Sequence, residues 1–119
     1  MKSVNLGDVA AGECAAAADH PQGRTTRRVH GADGQAIRQV LVTLRDGGAL
    51  ADHENPGDAS LLVLRGRVRV EAGDDVWEGG EGDFLVIPDR RHNLRARGDA
   101  AVLLSFARVR PAPVGPEGA

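Results

Sequence analysis

Aromatic side chains are nearly missing from this chain of 119 residues: there is no tyrosine, one tryptophan (Trp77) and two phenylalanines (Phe84 and Phe106). Three scattered rings cannot stack a row of bases. A net charge of -2 with a pI near 6.0 spreads no basic field over the surface. No nucleic-acid partner is therefore expected. Cysteine is as scarce, with Cys14 alone, which excludes an internal disulfide and a cysteine-based zinc site and fits a cytoplasmic protein. Lysine occurs only as Lys2, so the positive charge rests on arginine, the better partner for carboxylates and phosphates where it clusters. No apolar run approaches the length of a membrane span. Asp8 and Glu13 interrupt the alanine-rich start, so neither a secretory leader nor a membrane partner is expected.

What is abundant is short alternating segments punctuated by glycine. Residues 3–19 carry Leu6, Val9, Ala10 and Ala17 at near-helical spacing and predict a short amphipathic helix, with Ser3 placed to cap it. His20-Pro21-Gln22-Gly23 breaks it. From Arg24 the period changes to two. Strands are predicted over 24–30, 37–45, 49–55, 60–64, 67–72, 76–78, 84–87, 92–97 and 101–109, with Arg65-Gly66 read as a tight turn. In the clearest of them Val40, Val42 and Leu44 share one face, and Gln39, Leu41 and Thr43 the other. This spacing predicts an all-β sandwich or barrel. Three regions follow: a helical extension over 1–23, a β-barrel over 24–109, and a Pro- and Gly-rich tail over 110–119 expected to be disordered.

Two histidines stand out by strand parity. In Ala51-Asp52-His53-Glu54-Asn55 the charged pair shares one face, which turns Ala51, His53 and Asn55 inward. In the run from His92 to Arg97 the arginines lie with Asn93, which turns His92 inward with Leu94 and Ala96. An inward histidine is more often a hydrogen-bonded core residue than a ligand, so a pocket is the first expectation and a metal the second. Asp52 and Glu54 read as solvated charges, and the row Arg65, Arg67, Arg69 as a solvated or dimer-rim face.

The spacing around these histidines resembles the cupin family. That family's first motif runs Gly, five residues, His-x-His, three or four residues, Glu, six residues, Gly. From Gly47 it reaches His53, then Asn55 at the second histidine position, Ala59 at the glutamate and Gly66 at the end. The second motif matches at Gly82 and Pro88, has Arg90 where a glycine is expected, and places His92 one residue early. The resemblance covers roughly residues 37–109. It implies a single β-barrel of the double-stranded β-helix, or jelly-roll, type whose mouth normally holds a metal ion.

Only one of the first motif's three ligands is retained, and Ala59 brings no carboxylate, so a degenerate metal site is expected. The leading expectation is a protein that binds a small molecule in a pocket lined by His53, Asn55, Ala59, His92, Gln39, Leu41 and Leu94. One alternative is a metal-dependent oxygenase or isomerase with Fe, Mn, Ni or Zn on His53 and His92. Another is metal-free acid/base isomerisation or cyclisation by either histidine. Leu85 and Ile87 alternate with Phe84 and Val86, so both faces of that strand are apolar and a homodimer is expected.

Overall fold

The computed structural model describes residues 1–53 and 58–107, the side chains of Asp52 and His53 excepted. Glu54, Asn55, Pro56 and the tail over 110–119 lie outside the described residues. The elements in chain order are α1 (Leu6–Asp19), β1 (Arg24–His30), β2 (Ile37–Leu44), β3 (Ala49–His53), β4 (Ala59–Ala72), β5 (Asp75–Gly80), β6 (Phe84–Val86) and β7 (His92–Ala107). All pairings are antiparallel, in the order β1-β2-β7-β4-β5, with β3 on β7 and β6 on β4.

Two strands are long enough to belong to both layers. The second half of β7 pairs with β2 and with the first half of β4, which also carries β6. The first half of β7 pairs with β3 and with the second half of β4, which carries β5. The molecule is thus a jelly-roll of two facing sheets joined by the bends of β4 and β7. Between the sheets lie Val42, Leu44, Leu61, Val63, Val68, Val70, Ile87, Leu94, Ala96, Ala100 and Val102.

The predicted turn at Arg65-Gly66 is instead a bulge inside β4. Val63 faces Val102 and Arg65 faces Ala101, which leaves Leu64 as the extra residue. The extra residue reverses the parity of β4: odd positions (Leu61, Val63) point inward before it, even ones (Val68, Val70, Ala72) after it. Gly66 has φ +73° and lies against β7, where an added Cβ would run into the Asp99 carbonyl oxygen and stand 3.0 Å from the Ala100 Cα. Two reciprocal bonds brace the same corner: the Asp46 amide donates to Asp99 Oδ1 (2.9 Å), and the Gly98 amide to Asp46 Oδ1 (2.8 Å).

The helix begins at Leu6, not near Ser3. Asn5 is the cap, its Oδ1 accepting from the Asp8 amide at 2.9 Å. Ala10 and Ala17 are fully buried, small enough to let α1 lie close on the outside of the first sheet. There Ala10 meets Leu41 and Ala101, with Val9, Cys14, Val29 and Leu64 around them. The Thr43 hydroxyl donates to the Glu13 carbonyl (3.2 Å) and bonds to Thr25. Burial pushes the Cys14 thiol pKa up. Among the described residues no helix is long and apolar enough to cross a membrane.

Gly66→Ala is expected to lose about 2–4 kcal/mol, from left-handed backbone strain plus the clash with β7. Gly12→Ala, where a Cβ in mid-helix meets nothing within 4 Å, is expected to gain about 0.5–1 kcal/mol. Urea unfolding of the two variants, with opposite shifts in midpoint, checks both signs.

Candidate functional site

His92 opens β7, is 3% exposed, and shares the inward face with Leu94 and Ala96. Its Nδ1 lies 2.9 Å from the Arg90 carbonyl oxygen. A carbonyl can only accept, so Nδ1 carries the proton, and in the neutral ring Nε2 holds the lone pair. Nε2 is therefore the acceptor atom of the ring. The backbone of His53 is the direct register partner of His92, across an irregularity in β3 between Leu50 and His53. The two histidines singled out from the sequence thus stand opposite each other on adjacent strands.

Other predicted lining residues are placed differently. Leu94 is in the interior cluster, as its parity requires. Leu41 is on the outer face of β2, fully buried beneath α1, and cannot line the interior. Gln39 shares that outer face, where its Nε2 donates to the Ser105 hydroxyl at 3.1 Å. Both faces of β2 are buried over Leu41–Leu44, and α1 covers the one that had been assigned to the pocket. On β3 it is Leu50 that packs into the core, whereas Ala51 is exposed, with Asn93 and Arg95 beside a depression on the outer surface. Asn55 lies outside the described residues. His30 is exposed at the end of β1.

A cavity of about 150 Å³ opens where the β4–β5 turn meets the loop leading into β7. Val70, Ala72, Trp77, Leu85 and Pro88 form its walls, and Asp75 and Arg90 stand at its mouth. Val70, Trp77 and Leu85 also belong to, or pack on, the main core, so the cavity is a gap at one end of the barrel interior. Trp77 lies back across Gly79, whose missing Cβ leaves room for the indole. The Arg90 guanidinium spans the mouth and pairs with the Asp75 carboxylate. The sequence marked Arg90 only as a departure from a glycine; its reach to Asp75 depends on the β4–β5 hairpin, which pairs Asp75 with Ala72.

Among the described residues the side chains that could donate to a metal are few. Ala59, in the family's carboxylate position, starts β4 and packs against the core without a donor atom. Among the described residues no three His, Cys, Asp or Glu side chains gather as a metal group. His92 contributes one imidazole to any such shell.

Residues 40–106 match the family described as Cupin domain. The chain belongs to the cupin family. Solved structures with the same fold include a conserved protein of unknown function from Streptococcus pyogenes (22% identity, TM-score 0.68, covering 77% of this chain and 80% of that one). An RmlC-like cupin from Desulfovibrio desulfuricans is 28% identical (TM-score 0.62, 71% and 81% covered), and KdgF from Halomonas sp. is 21% identical (TM-score 0.64, 77% and 85%). No curated protein sequence matches the chain. In this cupin the second motif's proline, Pro88, walls the cavity, and its histidine is the buried His92.

Gly79→Ala is expected to push the Trp77 indole toward solvent, with a red-shifted emission and a loss of about 1–3 kcal/mol. Trp77 is the only tryptophan, so intrinsic fluorescence reads its position directly.

Proposed function

We propose that this cupin holds a small organic molecule inside the barrel, against the His53–His92 edge, with at most a weak divalent-metal site. The observation that carries this reading is the buried His92, its Nδ1 tied to the Arg90 carbonyl and its backbone set opposite His53. A polar atom placed in a wall of Leu94, Ala96 and Val70 gives a bound molecule orientation, while the apolar side chains give it contact area. Ala59 weighs against tight metal binding, because two neutral imidazoles without a carboxylate leave a divalent ion with little compensating charge. A second reading draws on the same tautomer. Nε2 of His92 suits a ligand to Fe, Mn, Ni or Zn in an oxygenase or isomerase, or a general base in metal-free isomerisation or cyclisation. The single cysteine, which has no second one to pair with, suits a reducing compartment, and we place the protein in the cytoplasm.

We also propose that it is a homodimer. Phe84 and Val86 are 60% and 72% exposed on the outside of β6, and Ile37 is 54% exposed at the start of β2 on the same sheet. The helix covers the Leu41–Ala101 part of that sheet and leaves the β6 side bare. A second copy would remove this apolar surface from water.

Protein purified without chelator is expected to carry well under one metal per chain by elemental mass spectrometry, even after incubation with excess ion. Near-stoichiometric metal that disappears in both His53→Ala and His92→Ala would replace this reading with the metal-enzyme one. Light scattering after size exclusion is expected to give a dimer, and Phe84→Asp combined with Val86→Asp to weaken it at least about tenfold with the fold retained. A wild-type monomer would sink the dimer.

A further inference from the structure

The second-motif glycine position is occupied by an arginine whose two ends do different things. The Arg90 backbone carbonyl accepts the Nδ1 proton of His92, and its guanidinium reaches over the β4–β5 turn to Asp75. Its Nη1 lies 3.9 Å from where a Cβ on Gly73 would stand, which places the charged group over that turn. Below it is the 150 Å³ cavity walled by Val70, Ala72, Trp77 and Leu85. An apolar hole whose mouth holds an arginine in an exposed, exchangeable pair with Asp75 suits a molecule with a hydrocarbon body and a single negative end.

We infer that this cavity is a binding site for a short aliphatic monocarboxylate, whose chain fills the hole beside Trp77 and whose carboxylate takes the place of Asp75 on Arg90. The inference rests on the reading that the barrel takes up a small organic molecule, and places a site for one at the end of the interior walled by Trp77 and Pro88, beyond the histidine edge.

Three observations set the chemistry. Charge comes first: Arg90 gives only one of its five N–H donors to Asp75 among the described residues, so most of its fork is open to a carboxylate in two-point geometry. The existing partner is also easily replaced. The Arg90 and Asp75 side chains are 49% and 77% exposed, and an exposed pair of this kind is weakly held. Asp75 is therefore a partner that an incoming carboxylate can replace. Size is the third: 150 Å³ holds about five water-sized groups, enough for a chain of three or four carbons and not for a fatty acid tail. Asp74, next in the chain to Asp75, adds negative charge near the mouth and works against an anion.

The test is a titration of the full chain with butanoate and pentanoate, and in parallel with 1-butanol and butylamine at constant ionic strength. Binding is followed at the Trp77 indole N–H by NMR. The acids are expected to shift that resonance at concentrations at least about tenfold lower than the alcohol, and the amine to leave it unmoved. Arg90→Gln is expected to erase the advantage of acid over alcohol. Asp75→Asn, which removes the competing carboxylate and leaves the apolar walls intact, is expected to tighten acid binding about threefold or more. The Asp75 variant decides the matter even where Arg90→Gln fails to fold.

An alcohol that binds as well as the acid, or an Asp75→Asn that weakens the acid, overturns the carboxylate assignment and leaves a barrel ligand of another class standing. Silence from Trp77 toward all four probes overturns this site. The broader reading fails separately, when a thermal-shift screen of diverse small molecules finds none that stabilises the wild type more than His92→Asn.

Discussion

The close approach of β4 to β7 at Gly66 is the constraint on which the rest of the structure depends. Both strands serve both sheets, so each must bend without losing its inward row of apolar side chains. On β4 the extra residue Leu64 does this by reversing parity, so that Leu61 and Val63 before the corner, and Val68 and Val70 after it, all reach the same interior. A one-residue slip there would turn every following side chain to the wrong face. The outward row after the corner, Arg67, Arg69 and Glu71, would then be buried, at a cost no core of this size offsets. Gly66 makes the bend sterically possible, and the bonds of Asp46 to Asp99 and Gly98 hold the β2–β3 turn against it. The site inherits its geometry from this corner, since the halves of β4 and β7 beyond it carry Val70, Ala72 and His92.

Much of the fold was legible because alternation and glycine spacing are local signals. The β1, β2 and β6 segments, the helix and the inward direction of His92 follow from them. Two failures share a cause. Arg65-Gly66 reads as a turn when only the chain is seen, and becomes a bulge because both flanking runs bond to the same partner, β7. Leu41 reads as a pocket residue because each face of β2 carries apolar side chains, and alternation separates two faces without saying which is inside. That choice is made by α1, whose Ala10 fits against Leu41. On β3 the rule that charge prefers water misplaced Ala51 for a similar reason, since the irregularity after Leu50 breaks the alternation the rule assumes.

The charged outer face of the second sheet shows which interactions matter little. Arg69 pairs with Glu71 at 3.0 Å and with Glu78 at 3.2 Å, and Arg97 with Glu78 at 3.3 Å. All are at least one-third exposed, where such pairs contribute about 0–1 kcal/mol. Their use is solubility and strand register; of the row read from the sequence as a solvated or dimer-rim face, Arg65 and Arg67 are exposed and Arg69 is half-buried. The stability of the barrel resides in the apolar interior.

Polar groups are few in that interior, and this gives Arg90 its leverage. Thr43 and His92 are the buried polar side chains among the described residues, and Thr43 faces the helix. Every buried side-chain nitrogen or oxygen described has a hydrogen-bond partner. Leaving the His92 Nδ1 proton unsatisfied would cost about 1–3 kcal/mol, more than an exposed Arg90–Asp75 pair contributes. The loop is therefore anchored by its backbone and only loosely by its side chain. Exchange of the guanidinium between Asp75 and a bound anion can proceed while the carbonyl stays on His92. A glycine at this position would keep the anchor and lose the charge, so the departure from the family pattern adds a cation to the barrel mouth without disturbing the histidine behind it.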